Sequence, residues 1–168
     1  MAASSYVKNF CDSSITLSDE TGSPITLTVP LFMGDFAISG LKKALREVVA
    51  YQAQGVLTTV RYTNRTFPTF SFTAQMATFT SATATSLSDA ILQNGAWASA
   101  ISTLGTGTGV VYTLKVTHTI ESSNFEGVAD PSLVLDDCAL ELEFSDGDPS
   151  VFKISGTCYG AVTGDLAI

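Results

Sequence analysis

One histidine, three cysteines and a few close pairs of acidic residues are what this chain offers toward chemistry. His118 falls among Tyr112, Leu114, Val116 and Ile120, on the apolar side of an alternating run. That is the place of a hydrogen-bonded core histidine, not of a general base or metal ligand. Cys11, Cys138 and Cys158 are too scattered for a zinc site, whose ligands come in closely spaced pairs, and none has a histidine beside it. No serine occupies a nucleophile elbow. Gly105, Gly107 and Gly109 lack the lysine of a phosphate loop and follow no strand of a βαβ unit. Asp146-Gly147-Asp148 has the acids of a calcium loop, but its glycine is misplaced and the closing glutamate is missing. Glu141 and Glu143 could imitate a glycosidase carboxylate pair; two apart on the solvent side of a strand, they read as surface charge. The residues point to a protein that is not an enzyme and needs neither cofactor nor metal.

The elements that position these residues are mostly strands. Between Leu133 and Gly160 lies one β-hairpin whose arms agree on register. Cys138, Leu140, Leu142 and Phe144 alternate with Asp137, Ala139, Glu141 and Glu143, while Phe152, Ile154, Gly156 and Cys158 alternate with Lys153, Ser155, Thr157 and Tyr159. Residues 145–150 between them are turn formers. Pairing Phe144 with Phe152 sets Leu142 by Ile154, Cys138 by Cys158 and Glu143 across from Lys153. A second hairpin joins Ile15 and Leu17 to Ile25, Leu27 and Val29. Phe67 to Phe79 reads as a strand with Phe70, Phe72, Ala74 and Met76 on one face. From Ser86 to Leu104 the period becomes helical: Ser86 caps, Asp89 sits in the first turn, Gly95 ends the helix, and Trp97 and Ile101 are expected on the sheet. Val110 to Glu121 is the cleanest strand, with Tyr112, Leu114, Val116, His118 and Ile120 inward; a loop follows to Ser132. Leu41 to Gln52 is ambiguous. Leu41, Ala44, Leu45, Val48 and Val49 have helical spacing, yet the segment runs through Gln54-Gly55 into the β-rich Val56 to Tyr62. Without repeat or linker, residues 1–168 read as a single β-rich domain with one main helix.

A length of 168 residues with 45% hydrophobic content suits one domain with a real core. No apolar run reaches the roughly 18 residues of a membrane helix, and residues 1–5 lack a secretory leader pattern, so a soluble protein made in the cytosol is expected, with no membrane partner. An odd cysteine count describes no disulfide framework; Cys138 and Cys158 are expected as a reduced, buried pair. Asn64-Arg65-Thr66 matches a glycosylation sequon, which is idle without secretion. The net charge of −8 argues against a partner gripped by its phosphates, though not against one that DNA slides past. Lys42, Lys43, Arg46, Arg61 and Arg65 lie mid-chain, while Glu121, Asp136, Asp137, Glu141, Glu143, Asp146 and Asp148 crowd the last third. Placed on opposite sides of the subunit, the two sets would draw copies together.

Asp136-Asp137-Cys138, Phe144, Gly147-Asp148-Pro149 and Ile154-Ser155-Gly156-Thr157-Cys158-Tyr159-Gly160 resemble the C-terminal hairpin of tail tube (major tail) proteins of long-tailed bacteriophages. Upstream, Ile15-Thr16-Leu17-Ser18-Asp19 with Gly22, then Phe70-Ser71-Phe72, then Ser88-Asp89-Ala90-Ile91-Leu92 with Gly95 and Trp97 fall in that family's order. The resemblance implies a mainly β fold, a β-barrel or sandwich with one flanking α-helix. It further implies hexameric rings stacked into a hollow virion tail tube, assembled in the host bacterial cytoplasm from copies of the chain and other tail proteins. DNA would pass through without specific binding. The family has a long hairpin where Leu41 to Gln52 lies, which favours a hairpin there. Candidate lumen or interface charges are Glu47, Glu121, Asp137, Glu141 and Glu143, with Lys42, Lys43, Arg46 and Arg61 as the basic set. Carboxylates in the bore would repel the DNA backbone. A type VI secretion tube, which shares the fold but conducts proteins, is the related alternative. A β-sandwich binding or virion-decorating module is the other, but Tyr51, Tyr62 and Trp97 form no evident aromatic platform.

Overall fold

The computed structural model describes residues 13–30, 32–42, 44–76, 86–101, 103–106, 108–121 and 129–165. The fold is mainly β, with antiparallel strands and one short α-helix. In the main sheet β1 (Ser13–Ser18), β2 (Thr26–Thr28), β3 (Ala37–Ser39), β6 (Thr69–Gln75), β9 (Leu114–Ile120), β10 (Ser132–Ser145) and β11 (Val151–Cys158) run in the order β2-β1-β9-β10-β11-β6-β3. β12 (Val162–Thr163) pairs beside β10. β4 (Arg46–Ala53) and β5 (Val56–Arg65) form a separate hairpin, and β7 (Thr103–Leu104) pairs with β8 (Val111–Tyr112).

The register of the last hairpin is the one its two alternations require. Cys138 faces Cys158, Leu142 faces Ile154, Glu143 faces Lys153 and Phe144 faces Phe152. β1 and β2 likewise pair Leu17 with Leu27. β10 serves both halves of the sheet: Ser132–Leu135 lie against β9, and Cys138 to Ser145 lie against β11. Between them the register slips, with Asp137 at a φ of 50°, and the buried parity passes from Leu133 and Leu135 to Cys138. Such a bulge bends a strand, and both halves of the sheet enclose a common core. Ile15, Leu17, Leu114, Val116 and Leu135 enter it from one half, and Phe70, Phe72, Ala74, Ile154 and Cys158 from the other. Among the described residues β2 and β3 are the two ends of this sheet and do not pair with each other, so the described strands form a folded-over sheet. Gly156 is required where β11 crosses Phe70: a Cβ there would lie 2.5 Å from Phe70 Cζ and 2.7 Å from Leu140 Cδ2.

The helical segment is shorter than its periodicity suggests. Ser86 caps α1 (Leu87–Leu92), its Oγ accepting from the Asp89 N–H at 3.1 Å, and Gln93 closes the helix in the left-handed conformation. A 3-10 turn over Gly95–Ser99 then drives Trp97 into the core at 0% exposure. Ile101, expected beside it, is 72% exposed. The expected single strand from Val110 to Glu121 is broken at Thr113, which is fully buried and divides β8 from β9. Tyr112 before the break donates its hydroxyl to Ala90 O at 3.1 Å and so ties α1 to the sheet. Burial, and then the charge of Asp19, push that phenol up to about 12. His118 is half-buried and stacks on Phe36 with ring centres 4.6 Å apart; loss of hydration lowers its pKa. His118 thus lies at the margin of the core, its ring covered on one face by Phe36. β6 buries Phe70, Phe72 and Ala74 as expected, and Met76 lies half-buried just past its end; residues 77–79 of the expected strand lie outside the described residues.

Candidate functional site

Two surfaces hold the candidate residues. The first is the β4–β5 hairpin, which replaces the helix that residue spacing allowed between Leu41 and Gln52. Gln54 and Gly55, at φ 53° and 80°, make its two-residue turn, the geometry that suits the twist of a β-hairpin. Among the described residues its strands pair only with each other, and every residue of the two but Thr63 is exposed. Val48, Ala50, Val60 and Tyr62 stand opposite one another in pairs and share one face; Val49, Tyr51, Thr59 and Arg61 share the other. Val56 is 70% exposed, Val48 59%, Leu57 57% and Tyr62 57%. A lone two-stranded hairpin is at best marginally stable in water, and an apolar patch of this kind marks a contact surface. At its base Arg65 Nη2 donates to Gly160 O at 2.8 Å, and the guanidinium lies 5.4 Å from the Phe67 ring centre.

The second surface is the outer face of β10-β11-β6-β3. Because Phe70, Phe72, Leu142, Ile154 and Ile38 point inward, their neighbours Thr69, Ser71, Thr73, Ala139, Glu141, Glu143, Lys153, Ser155, Thr157, Ala37 and Ser39 point out. They line two adjoining open grooves with Asp35 at one end. Small hydroxyl and methyl side chains give a smooth wall, on which the carboxylates Glu141, Glu143 and Asp35 face the single ammonium of Lys153. Lys153 Nζ lies 3.9 Å from Glu143 Oε1, and both side chains are exposed, so the pair contributes little stability. Asp35 Oδ1 accepts from the Thr73 N–H at 2.8 Å, which ties the segment before β3 to β6.

The remaining candidates do not join either group as one cluster. Asp137 sits at the β10 bulge, where its N–H donates to Glu20 Oε1 at 2.9 Å, and Lys115 Nζ lies 3.3 Å from Asp136 Oδ1. Glu47 belongs to the hairpin, accepting from Thr63 Oγ1 at 3.4 Å and Asn64 Nδ2 at 3.3 Å, so it is separated from the carboxylates with which it was grouped. Glu121 follows β9 and is half-buried. Arg46 and Arg61 are on the hairpin and Lys42 is exposed before it; Lys43 lies outside the described residues. Tyr51 and Tyr62 occupy opposite hairpin faces and Trp97 is buried, so the three make no aromatic platform. Asp35 and the exposed valines went unsuspected. Asp35 lies outside any alternating run, while the density of valine from Val48 to Val60 without a polar alternation was a signal.

Glu20 carries a pH dependence. Burial raises its pKa above the ordinary 4.5, and the negative charges of Asp137 and Asp136 add to that, against the Asp137 N–H and Lys115. The folded state therefore holds this proton more tightly than the unfolded chain. Its stabilising effect is complete below pH 4.5 and is lost as pH rises through the higher folded value. Glu20→Gln, which keeps the acceptor oxygen, is expected to melt above the parent at pH 7. Thermal melts repeated below the ordinary carboxylate pKa should show the difference gone.

No family model matches the sequence, and no characterised protein matches it at the level of sequence. The fold, however, is shared with solved structures of contractile injection systems. A chain in the sheath/tube terminator of the extracellular contractile injection system PVC, in its extended state, superposes with a TM-score of 0.58 at 13% identity, covering 98% of this chain and 100% of that one. A chain of the PVC sheath-tube complex gives 0.58 at 13% identity over 98% and 94% of the two chains. A chain in the cap that terminates the tube of the anti-feeding prophage gives 0.58 at 14% identity over 98% and 95%. This chain shares the fold of those injection-system chains.

Proposed function

We propose that the chain is the repeating subunit of a tail tube. Copies join into rings, six to a ring by the resemblance, and the rings stack with other tail proteins into a hollow conduit of a virion assembled in the host bacterial cytoplasm. Residues 1–168 act as one domain in this reading, and no catalysis is involved. The observation that carries it is the β4–β5 hairpin: it has no packing partner among the described residues and presents apolar side chains on both faces. A second copy is the fitting partner, because the hairpin carries Arg46, Arg61 and Arg65 against one acid, Glu47, while the chain as a whole is at −8. The shared fold with injection-system tube and cap structures supports the same reading. The outer face of β10-β11-β6-β3 then lines the bore, with Glu141 and Glu143 repelling the phosphates of passing DNA and small hydroxyl and methyl side chains around them. Asp137, at the bulge, lies off this wall.

Sedimentation and negative-stain microscopy test this directly. The parent protein should form rings or tubes at high concentration, and the triple change Val48→Ser, Val60→Ser, Tyr62→Ser should leave a monomer. The monomer's melting temperature should stay within a degree or two, since those side chains contribute nothing to the core. A parent that remains monomeric across salt and concentration, or a triple variant that assembles like it, overturns the tube. In assembled rings, Glu141→Lys with Glu143→Lys should leave the rings intact and make them retain duplex DNA in a salt-dependent way.

A further inference from the structure

Cys138 and Cys158 stand directly opposite each other on β10 and β11, both fully buried and both free thiols. The hydrogen bonds around them identify the kind of pair they form. The Cys158 N–H turns away from β10 and donates to Pro68 O at 2.9 Å, whereas the next N–H, of Tyr159, turns toward β10 and donates to Asp137 O at 3.0 Å. Tyr159 thus bonds across to β10 by its N–H alone, the Asp137 N–H going to Glu20, and because the Cys158 N–H turns to the other side, Cys138 and Cys158 occupy a non-hydrogen-bonded position. At such positions antiparallel strands bring Cα atoms to about 4.5 Å and the side chains closest together. That lies within the roughly 4.4–6.8 Å that a disulfide spans without backbone movement.

Both sulfurs also converge on the same piece of backbone. Cys138 Sγ lies 3.5 Å from Leu135 O and Cys158 Sγ lies 3.2 Å from Asp136 O. Their side chains are thereby aimed into the bulge and at one another. The Cys138 thiol is pushed up, first by its hydrogen bond to Cys158, then by burial and by the charges of Cys158, Glu20 and Asp136. Cys158 gains from that same hydrogen bond and from the Gly160 N–H, with Arg65 close by on the Gly160 carbonyl. Cys158 ends its strand, and the next residues, Tyr159 and Gly160, are half-exposed before exposed Ala161. Tyr159 and Gly160 bond on to Asp137 O and Asp136 O, and β12 returns to β10, so peroxide reaches Cys158 through a local opening of this segment.

The geometry points to a thiol-oxidation site: on meeting hydrogen peroxide, Cys158 and Cys138 form an intramolecular disulfide that staples β10 to β11 beside the Asp136–Asp137 bulge. The Cys158 thiolate attacks one peroxide oxygen, the O–O bond breaks and water leaves, giving a sulfenic acid. Cys138 sulfur then attacks Cys158 sulfur, the S–O bond breaks, and a second water carries off the remaining proton. Peroxide takes up the two electrons that the thiols lose. This goes beyond the tube reading and does not depend on it, since a lone subunit contains both sulfurs. A chain made in a reducing cytosol would carry the pair open and close it outside the cell.

Peptide mapping of the native protein tests it, because trypsin cleavage after Lys115 and Lys153 separates the two cysteines into residues 116–153 and 154–168. After peroxide treatment of the folded protein and alkylation, the two peptides should appear joined, two hydrogens lighter than their sum, and should separate on adding dithiothreitol. The oxidised protein should also melt several degrees higher than the reduced one, because the bridge restricts the unfolded chain. Peptides that stay separate with alkylated thiols, sulfurs that carry oxygens without a bridge, or a bond to Cys11 instead, would each overturn the proposal. So would a bridged protein that melts no higher than the reduced form.

Discussion

Ile154→Asp is expected to leave the protein unfolded at room temperature. Ile154 is 1% exposed in β11, with Leu142 on one side and Phe72 on the other, and no cation among the described core residues can meet a carboxylate there. An unpaired buried charge costs several kcal/mol, comparable to the whole stability of a domain of this size. Ser155→Asp, one residue along, points to the other face among exposed side chains, and should cost no more than about 1 kcal/mol, from the Glu141 carboxylate opposite it. Leu142→Asp should fall between them, because Leu142 is only half-buried. Urea titrations followed by circular dichroism would rank the three; similar losses for Ile154→Asp and Ser155→Asp would refute the alternation on which the hairpin rests.

Trp97→Ala should cost about 3–5 kcal/mol, the range for removing a large buried aromatic. Trp97→Phe sets two effects against each other. It loses part of the ring's contacts, but it also deletes the buried indole N–H, which has no hydrogen-bond partner among the described residues and there carries a desolvation cost of about 1–3 kcal/mol. The two nearly cancel, and Trp97→Phe should lie within about 1 kcal/mol of the parent. Since both variants lack the fluorophore, their midpoints are read by circular dichroism. A Trp97→Phe variant as damaged as Trp97→Ala would mean that the indole nitrogen has a partner.

The register of the last hairpin from Cys138 onward was legible because two alternations admit a single pairing, whereas the depth of its inner face was not: Leu140 and Leu142 are half-buried and Phe144 is 50% exposed. Glu141 and Glu143 were placed on the solvent face for the same reason. Asp137, assigned to that face with them, was not legible: the bulge before Cys138 exchanges the parity of the strand, and the only trace of it is that Leu133 and Leu135 are odd while Cys138, Leu140 and Leu142 are even. The β4–β5 hairpin was hidden from periodicity because neither of its faces meets the core, so nothing within one chain imposes an alternation of two. Thr113 misled through its polarity, being fully buried at a break where its neighbours continue the apolar pattern. Ile101 misled in the opposite sense, because the 3-10 turn spends the rotation that a longer helix would have used to bring it inward.

β10 has a mechanical consequence for any particle built from this chain. It runs through both halves of the sheet, flanked by β9 and β12 at one end and by β11 at the other. A pull along its axis loads the rungs of those ladders in shear, so that many hydrogen bonds must stretch together before one gives. A pull across it, at the β4–β5 hairpin, meets only the two-stranded ladder and the Arg65 anchor at its base. The chain is therefore stiff lengthwise along β10 and compliant at the hairpin, so that the hairpin can flex while the spine holds its length.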